Sequence, residues 1–297
     1  MTDAARPTPD LKALVGRLGL LDGSFQRGRD AHAGEWAQAL ERDGVGCLWV
    51  PDASWDLGAV RSLADATRRV AIGTAIVNVW TCTATDLAVS VTGVADAAGE
   101  RFVLGLGISH APLVARLGHV YDRPVDRLGS YLDDLDRVAP GVARRCMLGV
   151  NGPRMLALAA ERTAGALTYL VTPEHTAAAR AIVGPDRMLA VEQMVLLETE
   201  PRRARALARE RLAIYLTLPN YLRNLATLGF GEADVADGGS DRLIDGLVAW
   251  GDGDAIARRL REQWAAGADH VAVHLLGPRD ADPAPAWHAL AHAALGQ

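Results

Sequence analysis

The feature that most constrains the fold is a rhythm in the chain. Eight short apolar runs recur: GRLGLL (16–21), GCLWV (46–50), VAIGTAIVNV (70–79), FVLGLGI (102–108), RCMLGV (145–150), GALTYLV (165–171), RMLAVEQMVLLE (187–198) and HVAVHLL (270–276). They are rich in Val, Leu and Ile and mostly do not alternate with polar residues, as strands buried on both faces require. Amphipathic stretches fill the gaps, at 33–44, 57–69, 85–100, 126–140, 152–165, 173–184, 201–216 and 253–268, and a short helical stretch, 284–294, follows the last run. Strands alternating with helices imply a parallel sheet with right-handed crossovers. Eight such units favour closure, so the expected fold is an α/β chain forming a (β/α)8 TIM barrel. The 297 residues fit one barrel domain over 1–297 with an insertion. That insertion is expected at 217–251, where helical pieces surround the run GEADVADGGSD between the seventh and eighth strands. Insertions of this size on a barrel serve as lids or partner surfaces.

Composition removes several classes of function. With 31 basic and 36 acidic residues the net charge is −5, which offers no positive field to nucleic acid or to an anionic membrane. No apolar run reaches the roughly 18 residues of a membrane span. The first residues, MTDAARPTPDLKALVG, contain no apolar signal core, so a cytoplasmic location is expected. Cys47, Cys82 and Cys146 lack metal or disulfide spacing, and Cys47 and Cys146 lie in strand runs, where thiols act as small hydrophobes. No metal is expected.

A barrel places its site at the C-terminal strand ends. There the sequence offers Asp52, Asn78, Ser109, His110, Asn151, Gly152, Tyr169 and Glu192. In LGVNGPRMLALAAERTAG (148–165) a strand runs through Asn151-Gly152-Pro153 into a helix. Pro153 suits a first helical turn, Gly152 admits a ligand close to the backbone, and the free N–H groups of the helix start attract phosphate or carboxylate. Arg154 adds a cation, although an ordinary strand–helix turn would read the same way. In RFVLGLGISHAP (101–112) Gly105 and Gly107 lie within the strand, which suggests a bulge or something flat against the backbone. His110 follows at the strand mouth, where a histidine is either a rim residue or an acid–base group. Trp55 and Trp80 fall at strand ends and could line an aromatic pocket. The run PRRARALARER (201–211) reads most simply as the solvated face of a helix.

The segments RFVLGLGISHAPLV, YDRPVDRLGSYLDDL, LGVNGPRMLALAAER, YLVTPEHTAAAR, LPNYLRNLATLGF, GGSDRLIDGLVAWG and GADHVAVHLL, in order from about residue 16 to 276, together resemble one branch of the luciferase-like monooxygenase superfamily. That branch is assigned to F420-dependent oxidoreductases of actinobacteria. The resemblance implies a dimeric barrel with a deazaflavin or FMN across the strand mouths. It puts the cofactor phosphate at Asn151-Gly152-Pro153-Arg154, a cis bulge at Ala75–Ile76, and Asn78 and Ser109 among the cofactor's neighbours. Where related deazaflavin dehydrogenases carry Asp-His after the second strand, this chain has Asp52-Ala53, and where they carry Glu after the fourth it has His110. The fifth strand ends LGVNGP, not the branch's Leu-Gly-Ala-Leu-Gly-Pro.

The implied function is hydride transfer between coenzyme F420 and a small organic substrate. His110 is the first candidate for the proton-handling group, Asp52 the second and Tyr169 the third. An FMN-dependent luciferase-like monooxygenase is the alternative within the same fold. A redox-silent barrel that binds a ligand or a partner is the alternative outside it.

Overall fold

The structure, a computed structural model, describes residues 10–27, 31–277 and 283–295. Eight parallel strands close on themselves: β1 (Leu18–Leu21), β2 (Cys47–Pro51), β3 (Ala71–Ala75, resuming at Val77–Asn78), β4 (Phe102–Val103, resuming at Gly105–Gly107), β5 (Met147–Gly149), β6 (Gly165–Thr168), β7 (Met188–Leu197) and β8 (His270–Leu275). Each pairs with the next, and β8 returns to β1 through Leu18↔Val271. The expected barrel is therefore what forms.

Successive side chains of a strand point to opposite faces, so in a closed barrel they alternate between the interior and the helical layer. The interior cluster holds Cys47, Trp49, Ala71, Val103, Met147, Leu167, Met188, Ala190 and Ala272. Residues of the other parity, such as Leu48, Val50, Ile72, Leu189, Val191, Val271 and Val273, belong to the larger cluster beneath the helices. Trp49 is wholly buried inside the barrel, and its indole N–H donates to His270 Nε2 at 2.9 Å. The other ring nitrogen of His270 donates to the carbonyl of Gly16 at 2.8 Å, so the imidazole is held neutral; burial lowers its pKa to about 4. Room for the indole comes from the neighbouring strand: a Cβ on Gly73 would lie 2.3 Å from Trp49 Cε3.

The chain beyond β7 departs from the expected rhythm. Ala204, Ala208 and Leu212 of the helix Pro201–Leu212 pack with Leu243, Ile244 and Leu247 in a second apolar cluster, above the end of β7. The helix that packs on β7 and β8 is instead Gly253–Ala265. Segment 217–251 is not helical throughout: it ends in a strand, Val248–Gly251, parallel to Met194–Leu197. The top of β7 extends past the barrel rim and leaves backbone groups that this strand satisfies. No helix among the described residues is long and apolar enough to cross a membrane.

The interior contact yields a test. Gly73→Ala forces a methyl into the Trp49 ring, an overpacking cost of about 1–3 kcal/mol or more. A fall in melting temperature of at least several degrees is expected, with part of it recovered when Trp49→Leu is added to make room. Equal melting temperatures for Gly73→Ala and the parent would contradict the packing described.

Candidate active site

The alternation that fills the barrel also builds its mouth. The last inward residues of the strands, among them Leu21, Pro51, Gly149, Glu192 and His274, line a single cavity of about 1200 Å³ at the C-terminal end. That volume exceeds the roughly 300–1,000 Å³ typical of small-ligand pockets. Residues from the segment after β7, including Arg211, Tyr215, Asn220, Tyr221, Arg223 and Asn224, form part of its wall. The helix Pro219–Thr227 thus lies over the mouth.

The floor is shaped by one irregularity. β3 pairs with β4 as Gly73↔Val103 below and as Val77↔Leu106 above, so β3 has one extra residue between the two. This is a β-bulge. The Ala75–Ile76 peptide is cis, and both residues face the cavity. The glycines of the neighbouring strands are there for this bulge. A Cβ on Gly107 would meet Ile76 Cδ1 at 2.7 Å, one on Gly149 would meet Ile76 Cγ2 at 2.8 Å, and one on Gly105 would meet the Thr74 carbonyl oxygen at 2.0 Å. Of the two alternatives the glycines of β4 leave open, the bulge accounts for them. The loop after β2 hangs on the same feature: the N–H groups of Asp52 and Ala53 donate to the carbonyls of Ala75 and Ile76, at 3.4 and 3.1 Å. Asp52 and Ser109 both adopt left-handed backbone conformations, with φ of 41° and 58°. Such conformations are uncommon outside glycine and cluster at functional sites.

Of the proton-handling candidates, His110, Asp52 and Tyr169 all line the cavity. His110 packs against Tyr221, ring centroids 5.1 Å apart, and its Nδ1 is buried without a hydrogen-bond partner. Burial lowers its pKa, although Asn220 and the Asp52 charge oppose this. Burial thus favours the neutral imidazole at His110. Asp52 lies on an open part of the wall yet is surrounded by protein below. That burial raises its pKa against the pull of His110 and His274. Tyr169 stands in a cluster with Tyr215 and Tyr221, at 5.1 and 6.0 Å, and its hydroxyl is buried without a partner. Burial raises its pKa well above the ordinary value.

The cofactor candidates divide. Ala75, Ile76, Asn78, Ser109, Asn151, Gly152 and Pro153 line the cavity; Arg154 does not, and its side chain is exposed. Pro153 and Met155 reach the cavity, whereas the Arg154 side chain projects into solvent outside it. Gly152 caps the helix Pro153–Arg162, whose start has no side-chain cap, and a Cβ there would meet open space. The Asn151 side chain is committed elsewhere. Its amide donates to the carbonyl of Tyr169 at 2.7 Å and accepts from the N–H of Tyr169 at 3.0 Å, stapling the loops after β5 and β6. Trp55 lines the cavity, whereas Trp80 is packed below: its indole donates to the carbonyl of Ile108 and Arg127 lies over its ring.

Sequence reasoning passed over His274, Tyr215, Tyr221 and the acid–base pairing of Glu192. His274 was findable, because in HVAVHLL the residues 270, 272 and 274 share one face, and the last of them must reach the mouth. The tyrosines gave no such signal, since the segment that carries them has no barrel periodicity.

The family model of luciferase-like monooxygenases matches residues 22–270. The chain belongs to that family. It is accordingly an enzyme of the luciferase-like oxidoreductases and monooxygenases, so the redox-silent barrel is set aside. No curated protein matches it. Among solved structures it is similar to the coenzyme F420-dependent tetrahydromethanopterin reductase from Methanopyrus kandleri, with a TM-score of 0.70 at 13% identity over 94% of this chain and 98% of that chain. An F420-dependent secondary alcohol dehydrogenase in complex with an F420–acetone adduct gives 0.72 at 14%, over 94% and 98%. The oxygenating constituent of 3,6-diketocamphane monooxygenase from Pseudomonas putida, in complex with FMN, gives 0.67 at 15%, over 93% and 95%. At such identities these likenesses establish the fold.

The Asn151 staple is testable. Asn151→Leu leaves the Tyr169 backbone N–H and carbonyl unpaired, which costs about 1–3 kcal/mol for each group that stays buried. A lower denaturation midpoint is expected, together with altered tyrosine near-ultraviolet dichroism. An unchanged midpoint and spectrum would remove the staple from the account.

Proposed function

We propose that this enzyme transfers a hydride between coenzyme F420 and a small organic substrate at the barrel mouth. The observation that carries the reading is the coincidence, in one cavity, of an uncapped helix start open at Gly152 and a His110 that burial draws toward its neutral form and whose Nδ1 has no hydrogen-bond partner. Hydride transfer asks little of a protein beyond holding the cofactor's anionic tail, placing its ring and handling a proton. The residues fit such a group. Ile76 gives the ring an apolar support, and the free N–H groups after Gly152 suit a phosphate. Ala75, Asn78, Ser109, Asn151 and Pro153 complete the seat, Asn151 by positioning the loop. Arg154, turned outward, is left out of it. Arg116 and Arg223 on the cavity wall suit further anionic groups, such as the carboxylates of the F420 tail. When bound, F420 would supply a two-electron hydride donor or acceptor. His110 and Tyr169 would hydrogen-bond the substrate, and Asp52 would bias the charge around it.

An FMN-dependent monooxygenase is the second reading, favoured by the family's name and by the FMN-bound neighbour. The same phosphate seat would serve FMN, so binding decides between them. Titration of the purified protein with each cofactor, followed by tryptophan fluorescence, should show F420 binding at least about tenfold more tightly than FMN, a difference of about 1.4 kcal/mol. The reverse order would favour the monooxygenase, and binding of neither would overturn both readings.

Gly152→Val places a side chain where the phosphate would sit, in space that the protein itself leaves empty. Loss of cofactor affinity with an unchanged melting temperature is expected. Unchanged affinity would remove the helix start from the site.

A further inference from the structure

We infer that His274, held by Glu192, is the group that gives a proton to the substrate and takes it back. The inference rests on the hydride-transfer reading above and deepens it.

Glu192 on β7 and His274 on β8 both point inward, and the register Ala272↔Glu192 and His274↔Met194 makes them diagonal neighbours on adjacent strands. Glu192 Oε1 accepts from His274 Nδ1 at 2.6 Å, a short bond of the kind that charge on either partner strengthens. The side chain of Glu192 is 7% exposed and that of His274 26%. The carboxylate is thus covered while the imidazole faces the cavity. With Nδ1 committed to Glu192, the free ring nitrogen is Nε2, which has no partner among the described residues and lies open to the cavity. A carboxylate behind an imidazole fixes its tautomer and orientation and stabilises its protonated form.

The charges around the ring act the same way. Burial alone would lower the pKa of His274, but the hydrogen bond and charge of Glu192, with Asp22 beyond β1, raise it, against a smaller opposing effect from Arg211. Asp52, after β2, also senses the His274 charge. The surroundings thus draw His274 toward its protonated form and His110 toward its neutral form, while burial of Glu192 raises the pKa of that carboxyl, against the hydrogen bond and charge of His274.

In the reducing direction the bound deazaflavin would supply a hydride to a carbon doubly bonded to oxygen or nitrogen. The π pair of that double bond would move onto the heteroatom, which would take the proton from Nε2, leaving His274 neutral beside Glu192. Oxidation runs the same steps in reverse. The substrate class is thus a carbonyl or imine and the alcohol or amine that corresponds to it.

Two variants test this in the intact enzyme. His274→Gln keeps a hydrogen-bonding side chain but carries no proton. It should lower turnover by about 10²–10⁴ with little change in F420 affinity. Glu192→Gln removes the charge while retaining the shape. In cofactor-free protein, the imidazole proton resonance that disappears in His274→Gln should titrate above pH 6.5 in the parent and about one unit or more lower in Glu192→Gln. Rate constants for reduction should fall as pH rises through the same value. Turnover retained within about threefold in His274→Gln, or a His274 titration indifferent to Glu192→Gln, would overturn the inference. Failure of the parent to bind F420 would instead overturn the hydride-transfer reading, and the titration would still decide whether the pair holds a proton.

Discussion

The site depends on the space that β4 and β5 leave for Ile76. Gly107 and Gly149 have no side chains where Ile76 lies, and Gly105 lets its strand close against the Thr74 carbonyl. Because interiors are close-packed, a methyl group at any of these positions would push the bulge out of place. The bulge in turn holds the loop after β2 through the carbonyls of Ala75 and Ile76, and so sets the position of Asp52. One packing contact thereby links the walls of three strands to a charged group at the cavity mouth.

Much of the barrel was legible because its signal is local and repeated. Eight apolar runs, each separated by a stretch of helical period, leave few other ways to bury both faces of every strand. The glycines of β4 were legible as a close approach, but the sequence could not say what approached; the answer is a residue about thirty positions earlier in the chain, in a contact between strands. Asn151 and Gly152 were legible as a strand-to-helix turn. That the Asn151 amide would be spent on the Tyr169 backbone was not, because the pairing joins two separate loops. Arg154 shows the limit of proximity in sequence: it stands between two residues that line the cavity, yet its own side chain is exposed outside it.

From sequence alone the insertion after β7 begins at 217, as helical pieces, and the helix before it belongs to the barrel. Pro201–Leu212 has strong helical character in either setting, and its small buried residues, Ala204 and Ala208, fit a close helix–helix contact as well as a sheet contact. Tertiary packing decides between the two, and propensity does not. The consequence lies at the site. Once that helix joins the insertion, Arg211, Tyr215 and Tyr221 come over the mouth with it, and the cavity acquires a wall that has no counterpart in the strand rhythm.

The two histidines of that cavity show how environment, more than residue type, sets chemistry. His110 is desolvated, packs against the tilted ring of Tyr221 and has no carboxylate hydrogen-bonded to it, so burial pushes it toward the neutral form. His274 is desolvated too, but Glu192 at 2.6 Å outweighs burial and draws it toward the charged form. Near neutral pH one ring is then suited to accept or share a hydrogen bond and the other to release a proton. Pairs of titratable groups driven apart in this way mark the division between acid and base in an active site. Here the division follows from strand parity: β8 delivers His274 beside the inward carboxylate of β7, whereas His110 sits past the end of β4, where no inward carboxylate is bonded to it.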